Sequence, residues 1–91
     1  MSARVARRVV VRGRVQGVFF RDSARRAAES RRVTGWVRNC PDGTVEAWFE
    51  GAEEGVASMV EWARRGPSRA QVDGVDVEDV EPEGLGEFRV T

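Results

Sequence analysis

The turn Pro41-Asp42-Gly43 constrains this chain more than any other feature. Proline presets its own φ, and glycine accepts the positive φ that closes a tight connection. Upstream, residues 35–40, Gly-Trp-Val-Arg-Asn-Cys, read as a strand. Downstream, residues 44–50 alternate, with Val45, Ala47 and Phe49 on one face and Thr44, Glu46, Trp48 and Glu50 on the other. That is the period of a half-buried strand, so the turn joins a hairpin. A hairpin in mid-chain needs a sheet around it, and the flanking segments have to supply it.

They do so symmetrically. Val9-Val10-Val11 is a β-branched run read as a strand, and from residue 22 to about residue 32 Ala24, Ala27 and Ala28 recur at helical spacing. The apolar face of that helix is thin, with Phe19, Phe20 and Val33 available to help it pack. Arg31 and Arg32 are expected in its last turn, where cations complement exposed carbonyls. After the hairpin, Glu53 and Glu54 open a second helix. Val56, Met59, Val60 and Ala63 form its i, i+3, i+4, i+7 stripe, Arg64 and Arg65 close it, and Gly66-Pro67 stops it. Met59 and Trp62 read as packing residues. Residues 72–80 alternate through Val75 and Val77 as another strand, Glu81-Pro82-Glu83-Gly84 breaks it, and Phe88-Arg89-Val90 adds a short terminal strand. The order predicts an α+β fold: a ferredoxin-like βαββαβ sandwich, two helices packed on one face of an antiparallel sheet. Ninety-one residues make one domain, residues 1–91.

Topology then carries a functional consequence. The third strand should lie between the first and second, which makes those two point the same way. Their C-terminal ends meet at one end of the sheet. The stretch Gly13-Arg14-Val15-Gln16-Gly17-Val18-Phe19-Phe20-Arg21 follows the first of these ends, and Asn39 stands at the second. Two glycines, a glutamine and an arginine between strand and helix suggest a loop wrapped around an anion, backed by a helix N-terminus and a guanidinium fork. The alternative is a glycine turn followed by an arginine in a surface salt bridge.

Composition excludes much chemistry. There is no histidine, which removes a histidine base and most zinc sites, and no lysine, which removes Schiff-base catalysis and a Walker-type loop. Cys40 lacks an arginine six positions on, where Glu46 stands, so it does not open a thiol-phosphatase loop. Asp73 and Asp76 lack Asp-x-Asp spacing, and no clustered ligand pattern suggests a metal. Neither metal nor cofactor is expected. Asn39 cannot act as a base, but its amide can orient a water. Such equipment suits a substrate that is already activated. An acyl phosphate expels a carboxylate that needs no protonation, and the attacking water can pass its proton to a phosphoryl oxygen.

The residues resemble the acylphosphatase family. Residues 13–21 match its first signature, and Gly35-Trp36-Val37-Arg38-Asn39 followed by Asp42-Gly43-Thr44-Val45-Glu46 matches its second. The similarity extends to Phe88-Arg89-Val90. It implies a metal-free, cofactor-free hydrolase that converts a small-molecule acyl phosphate to a carboxylate and inorganic phosphate. On that analogy Arg21 and the backbone amides of Val15, Gln16, Gly17, Val18, Phe19 and Phe20 bind the phosphoryl group, and Asn39 places the water. Where members often carry a glycine shortly before the position of Gly35, this chain has Arg31-Arg32-Val33.

Charge raises a rival. Residues 1–40 hold eleven arginines against two carboxylates, net +9, and residues 41–91 hold four against thirteen, net −9. A basic face for nucleic acid is one reading. Interleaving halves that neutralise each other is favoured, because a small domain mixes its halves. Trp36 and Trp48 are available as surface aromatics, but no strand carries a base-stacking signature, so no nucleic-acid partner is expected. No apolar run reaches the roughly 20 residues that cross a bilayer, the N-terminus lacks a signal-peptide core, and one cysteine agrees with a reducing compartment. A cytoplasmic monomer is expected.

Overall fold

In the computed structural model, which describes residues 3–91, the central turn closes as its residues demand. Gly43 N donates to Cys40 O at 3.1 Å, Cys40 N donates to Thr44 O at 2.8 Å, and Gly43 takes φ 94°. The Asp42 carboxylate accepts from Thr44 N at 3.0 Å and Thr44 Oγ at 2.7 Å, and those two bonds hold its pKa below the ordinary carboxylate range. The chain runs β1 (Arg4–Arg14), α1 (Phe20–Ser30), β2 (Thr34–Asn39), β3 (Val45–Ala52), α2 (Glu53–Arg65), β4 (Gln71–Val80) and β5 (Phe88–Val90). Sheet order is β4-β1-β3-β2-β5, so β3 does lie between β1 and β2. The first four strands pair antiparallel, while β5 joins β2 in parallel and makes the sheet mixed at that edge.

Both helices cover one face. Val9, Val11, Val37, Val45, Ala47 and Phe49 from the sheet meet Ala24 and Ala28 of α1 and Val56, Met59, Val60 and Ala63 of α2 in one buried cluster. Among the described residues no helix is long and apolar enough to cross a membrane. Gly35 is needed for close approach. A Cβ there would lie 1.7 Å from Trp48 O, so a side chain would push β2 off β3.

Three expectations change. β1 is far longer than Val9-Val10-Val11, because it pairs on both sides and its arginines find carboxylates on β4. Arg7 meets Asp79 at 3.1 Å, Arg8 meets Glu78 at 3.5 Å, and Arg12 meets Asp76 at 3.3 Å. The basic and acidic halves therefore interleave. Glu46 and Glu50, on what alternation makes the polar face of β3, are 5% and 0% exposed. Arg8 and Arg38 close over the first; the segment at residues 83–85 closes over the second. Burial pushes both carboxyls up, yet these donors bring both below the ordinary range.

Helix α1 spans residues 20–30 instead of 22–32, which leaves Arg31 and Arg32 outside its last turn. Phe20 and Val33 are each 2% exposed and thicken its apolar contact, while Phe19 does not take part. After the cap at Arg31 the chain turns back through Arg32, which adopts φ 56°. An exposed side chain in the left-handed region costs about 1–2 kcal/mol, and part of that is offset because glycine loses more backbone entropy on folding. Arg32→Gly is accordingly expected to stabilise the protein by about 0.5–1 kcal/mol, read from urea midpoints at unchanged m-value. A fall in midpoint would mean that the Arg32 side chain contributes more than its backbone costs.

Candidate active site

Beyond β1 the loop alternates inward and outward. Val15 and Val18 are 1% and 7% exposed and anchor it in the core, while Gly17 and Phe19 face solvent. Two left-handed residues, Gly17 at φ 72° and Phe19 at φ 61°, bend the chain back toward the sheet. Gln16 braces that bend. Its amide Nε2 donates to Cys40 O at 2.8 Å and Thr44 O at 2.9 Å, which ties the loop to the hairpin turn just after Asn39. The glutamine is a side-chain strut between the two ends that topology brings together.

Phe19 is the N-cap of α1 and offers no side-chain bond to the first turn. The N-terminal amides of the helix, with its positive dipole end, are thus left without a side-chain cap. Phe20 packs edge-on against Trp62, ring centroids 5.2 Å apart, and this fixes the direction in which the helix leaves. Arg21 follows on the first turn. Its Nη1 donates to the main-chain oxygen of Thr91 at 3.1 Å, and among the described residues no Asp or Glu side chain pairs with it. Its neighbour Asp22 pairs instead with Arg25 at 3.3 Å and Arg26 at 2.6 Å. Among the described residues Arg21 thus forms no surface salt bridge with an Asp or Glu side chain.

A pocket of about 300 Å³ opens here, lined by Val15, Gly17, Phe19, Phe20, Arg21 and Asp22 on one side and Asn39 and Val90 on the other. All the site residues expected from sequence line it except Gln16 and Val18, which brace it from outside and from the core. Chemically the pocket combines a guanidinium, a carboxamide and an uncapped helix start. Such a set holds an oxyanion and a polar small molecule side by side.

A larger cavity, about 1040 Å³, lies along the β2–β5 edge beside Trp36, Arg38, Glu46, Leu85 and Arg89. Its charges are already spent. Glu46 is held by Arg8 and, at 2.6 Å, by Arg38, and Arg89 pairs with Glu87 at 3.1 Å. Trp36 and Trp48 stack at 6.3 Å, with the Arg38 guanidinium 6.0 Å from the Trp36 ring.

The family model described as Acylphosphatase matches residues 7–90. The chain belongs to the acylphosphatase family. It is 56% identical over 93 residues to an acylphosphatase of Anaeromyxobacter dehalogenans, covering 99% of this chain and 98% of that one. An acylphosphatase structure from Coxiella burnetii superposes with a TM-score of 0.93 at 40% identity, over 97% of this chain and 93% of that one. One from Bacillus subtilis gives 0.92 at 36% identity, over 96% and 98%.

The sequence reading of this acylphosphatase missed Val90 and Thr91. Val90 lines the pocket, and Thr91 reaches Arg21 because its N–H donates to Val37 O at 2.9 Å, continuing the parallel pairing of β5 with β2. No residue type signals this. A main-chain oxygen meets Arg21, and any amino acid at position 91 carries one.

Proposed function

We propose that the protein hydrolyses acyl phosphates to a carboxylate and inorganic phosphate, with Arg21 and the loop amides holding the phosphoryl group and Asn39 orienting the water. The observation that carries the reading is that Arg21 and Asn39, eighteen positions apart in sequence, line one small pocket at the start of α1. The backbone N–H groups of Val15, Gln16, Gly17, Val18, Phe19 and Phe20 are the amides available on the loop; they and the guanidinium fork bind phosphoryl oxygens and match the charge that develops there. The Asn39 carboxamide oxygen accepts a hydrogen bond from a water and aims its lone pair at phosphorus, opposite the acyl oxygen. As the new P–O bond forms, the bond from phosphorus to the acyl oxygen breaks and the carboxylate leaves with the electron pair. The water's proton passes to a phosphoryl oxygen. No general acid is needed, because the leaving group is the base of a carboxylic acid, so neither metal nor cofactor has a step to perform.

In this reading the chain works as one domain over residues 1–91, a cytoplasmic monomer that binds no nucleic acid. The single half-buried thiol suits a reducing compartment, and the ion pairs between the charged halves argue against a basic face for nucleic acid. Hydrolysis of benzoyl phosphate, unchanged by added chelator, is the expected result. No hydrolysis would overturn the function, and loss on chelation would overturn the mechanism. Asn39→Ala should lower kcat about 100-fold or more, while inhibition by phosphate changes only a few-fold. Equal losses in both would make Asn39 a phosphate ligand instead of a water-positioning residue.

A further inference from the structure

Only three large apolar side chains are exposed on the described surface, and two of them line the pocket that holds Arg21 and Asn39. Phe19 is 71% exposed and Val90 40%; the third, Val77 at 39%, lies on β4 at the other edge of the sheet. Apolar residues scattered singly over a surface need no explanation. Two that converge on one polar pocket from separate segments, the loop and β5, do.

Phe19 is the more demanding of the two. Its φ of 61° is one that Gly17 nearby adopts freely at 72°, whereas a bulky aromatic in that region is an outlier. Packing does not account for the ring, since Phe20 takes the core position and contacts Trp62. An exposed aromatic held in an unfavourable backbone conformation at a ligand pocket points to contact with the ligand. The pocket also has room to spare. Its volume of about 300 Å³ equals on the order of ten waters at about 30 Å³ each, more than the four heavy atoms of a phosphoryl group fill.

We propose that Phe19 and Val90 form an apolar lip that receives the acyl group, so that the protein prefers acyl phosphates with an aryl or branched-alkyl acyl group to short ones. The proposal rests on the acyl phosphate hydrolysis argued above. The phosphoryl group occupies the polar base by Arg21 and Asn39, and the acyl substituent lies between the Phe19 ring and the Val90 side chain.

The test compares kcat/KM for benzoyl phosphate and acetyl phosphate, whose carboxylate leaving groups are of similar basicity. Phe19→Asn removes the ring but keeps a residue type that tolerates the left-handed region. Val90→Thr keeps the shape and β-branching, and Val77→Thr is the control on the far edge. The wild-type preference for benzoyl phosphate should be about tenfold or more. It should fall about five- to tenfold in Phe19→Asn and about two- to threefold in Val90→Thr, and stay unchanged in Val77→Thr. A merely structural role would slow both substrates equally, and a ratio that holds constant across the variants overturns the lip while leaving the hydrolase reading intact. A wild-type protein that cleaves neither substrate overturns that reading, and the lip with it.

Discussion

Arg21→Ala is expected to fold normally and to lose turnover by at least about 10³-fold, together with inhibition by inorganic phosphate. The two halves of that result have separate causes. For the fold, Arg21 contributes one hydrogen bond from a half-buried guanidinium to Thr91 O, a contact worth about 1 kcal/mol or less. The core beneath it is anchored by Val15, Val18 and Phe20. For catalysis, the guanidinium is the one permanent cation lining the pocket, and its rigid planar fork meets two phosphoryl oxygens with paired N–H donors in a fixed geometry that a rotating ammonium does not reproduce. Arg21→Lys should therefore remain severely impaired, by about 100-fold or more, although it keeps the charge. The checks are kcat/KM on benzoyl phosphate, the inhibition constant of phosphate, and the thermal midpoint of each variant. Phosphate inhibition that survives Arg21→Ala would remove Arg21 from the anion site.

What could be read beforehand divides along a physical line. Wherever a residue type dictates its own local backbone, the sequence was informative. Pro41-Asp42-Gly43 makes one kind of connection, and Val56, Met59, Val60 and Ala63 can bury themselves only on a helix. From those elements the strand order followed, and with it the meeting of Arg21 and Asn39. What stayed hidden depends on what lies over a surface. Alternation in β3 separates Glu46 and Glu50 from Phe49 but does not say that anything covers the second face. That depends on Arg8, Arg38 and residues 83–85, which arrive from distant parts of the chain. The start of α1 was misplaced for a similar reason. Phe20 has no helical periodicity before it, and its place in the helix is fixed by packing on Trp62 and by the left-handed Phe19. Thr91 was invisible because its contribution is a main-chain oxygen.

The hidden carboxylate Glu50 gives the second large expected effect, and it links stability to the site. The side chain is fully buried and receives five donors. Arg4 Nη2 lies at 3.2 Å, Trp48 Nε1 at 3.1 Å, and the amides of Glu83, Gly84 and Leu85 at 2.9, 2.8 and 3.0 Å. Three successive amides converge on it because Gly84 takes φ 78°. The carboxylate thus pins the connection that leads into β5, and past β5 to the Thr91 main-chain oxygen on Arg21. Glu50→Ala strands those donors and should cost about 3–5 kcal/mol, lowering the thermal midpoint by roughly 15–25 °C. Glu50→Gln keeps the shape and isolates the charge. Burial pushes the carboxyl up, but the donors outweigh it and hold the pKa at about 2 against an ordinary 4.5. A carboxyl depressed by folding stabilises the native state fully above its unfolded pKa, and that stability drains away as pH falls toward the folded value. Wild-type protein should therefore lose about 3 kcal/mol between pH 5 and pH 2 through this group. In Glu50→Gln this loss is absent, so the stability gap between the two proteins should narrow steadily over that window. Hydrogen exchange adds a local readout, with the amides of residues 83–85 exchanging faster in the variant while those of β1 keep their protection. Parallel pH profiles for the two proteins, or uniform loss of protection through the sheet, would show that Glu50 is not the anchor of this segment.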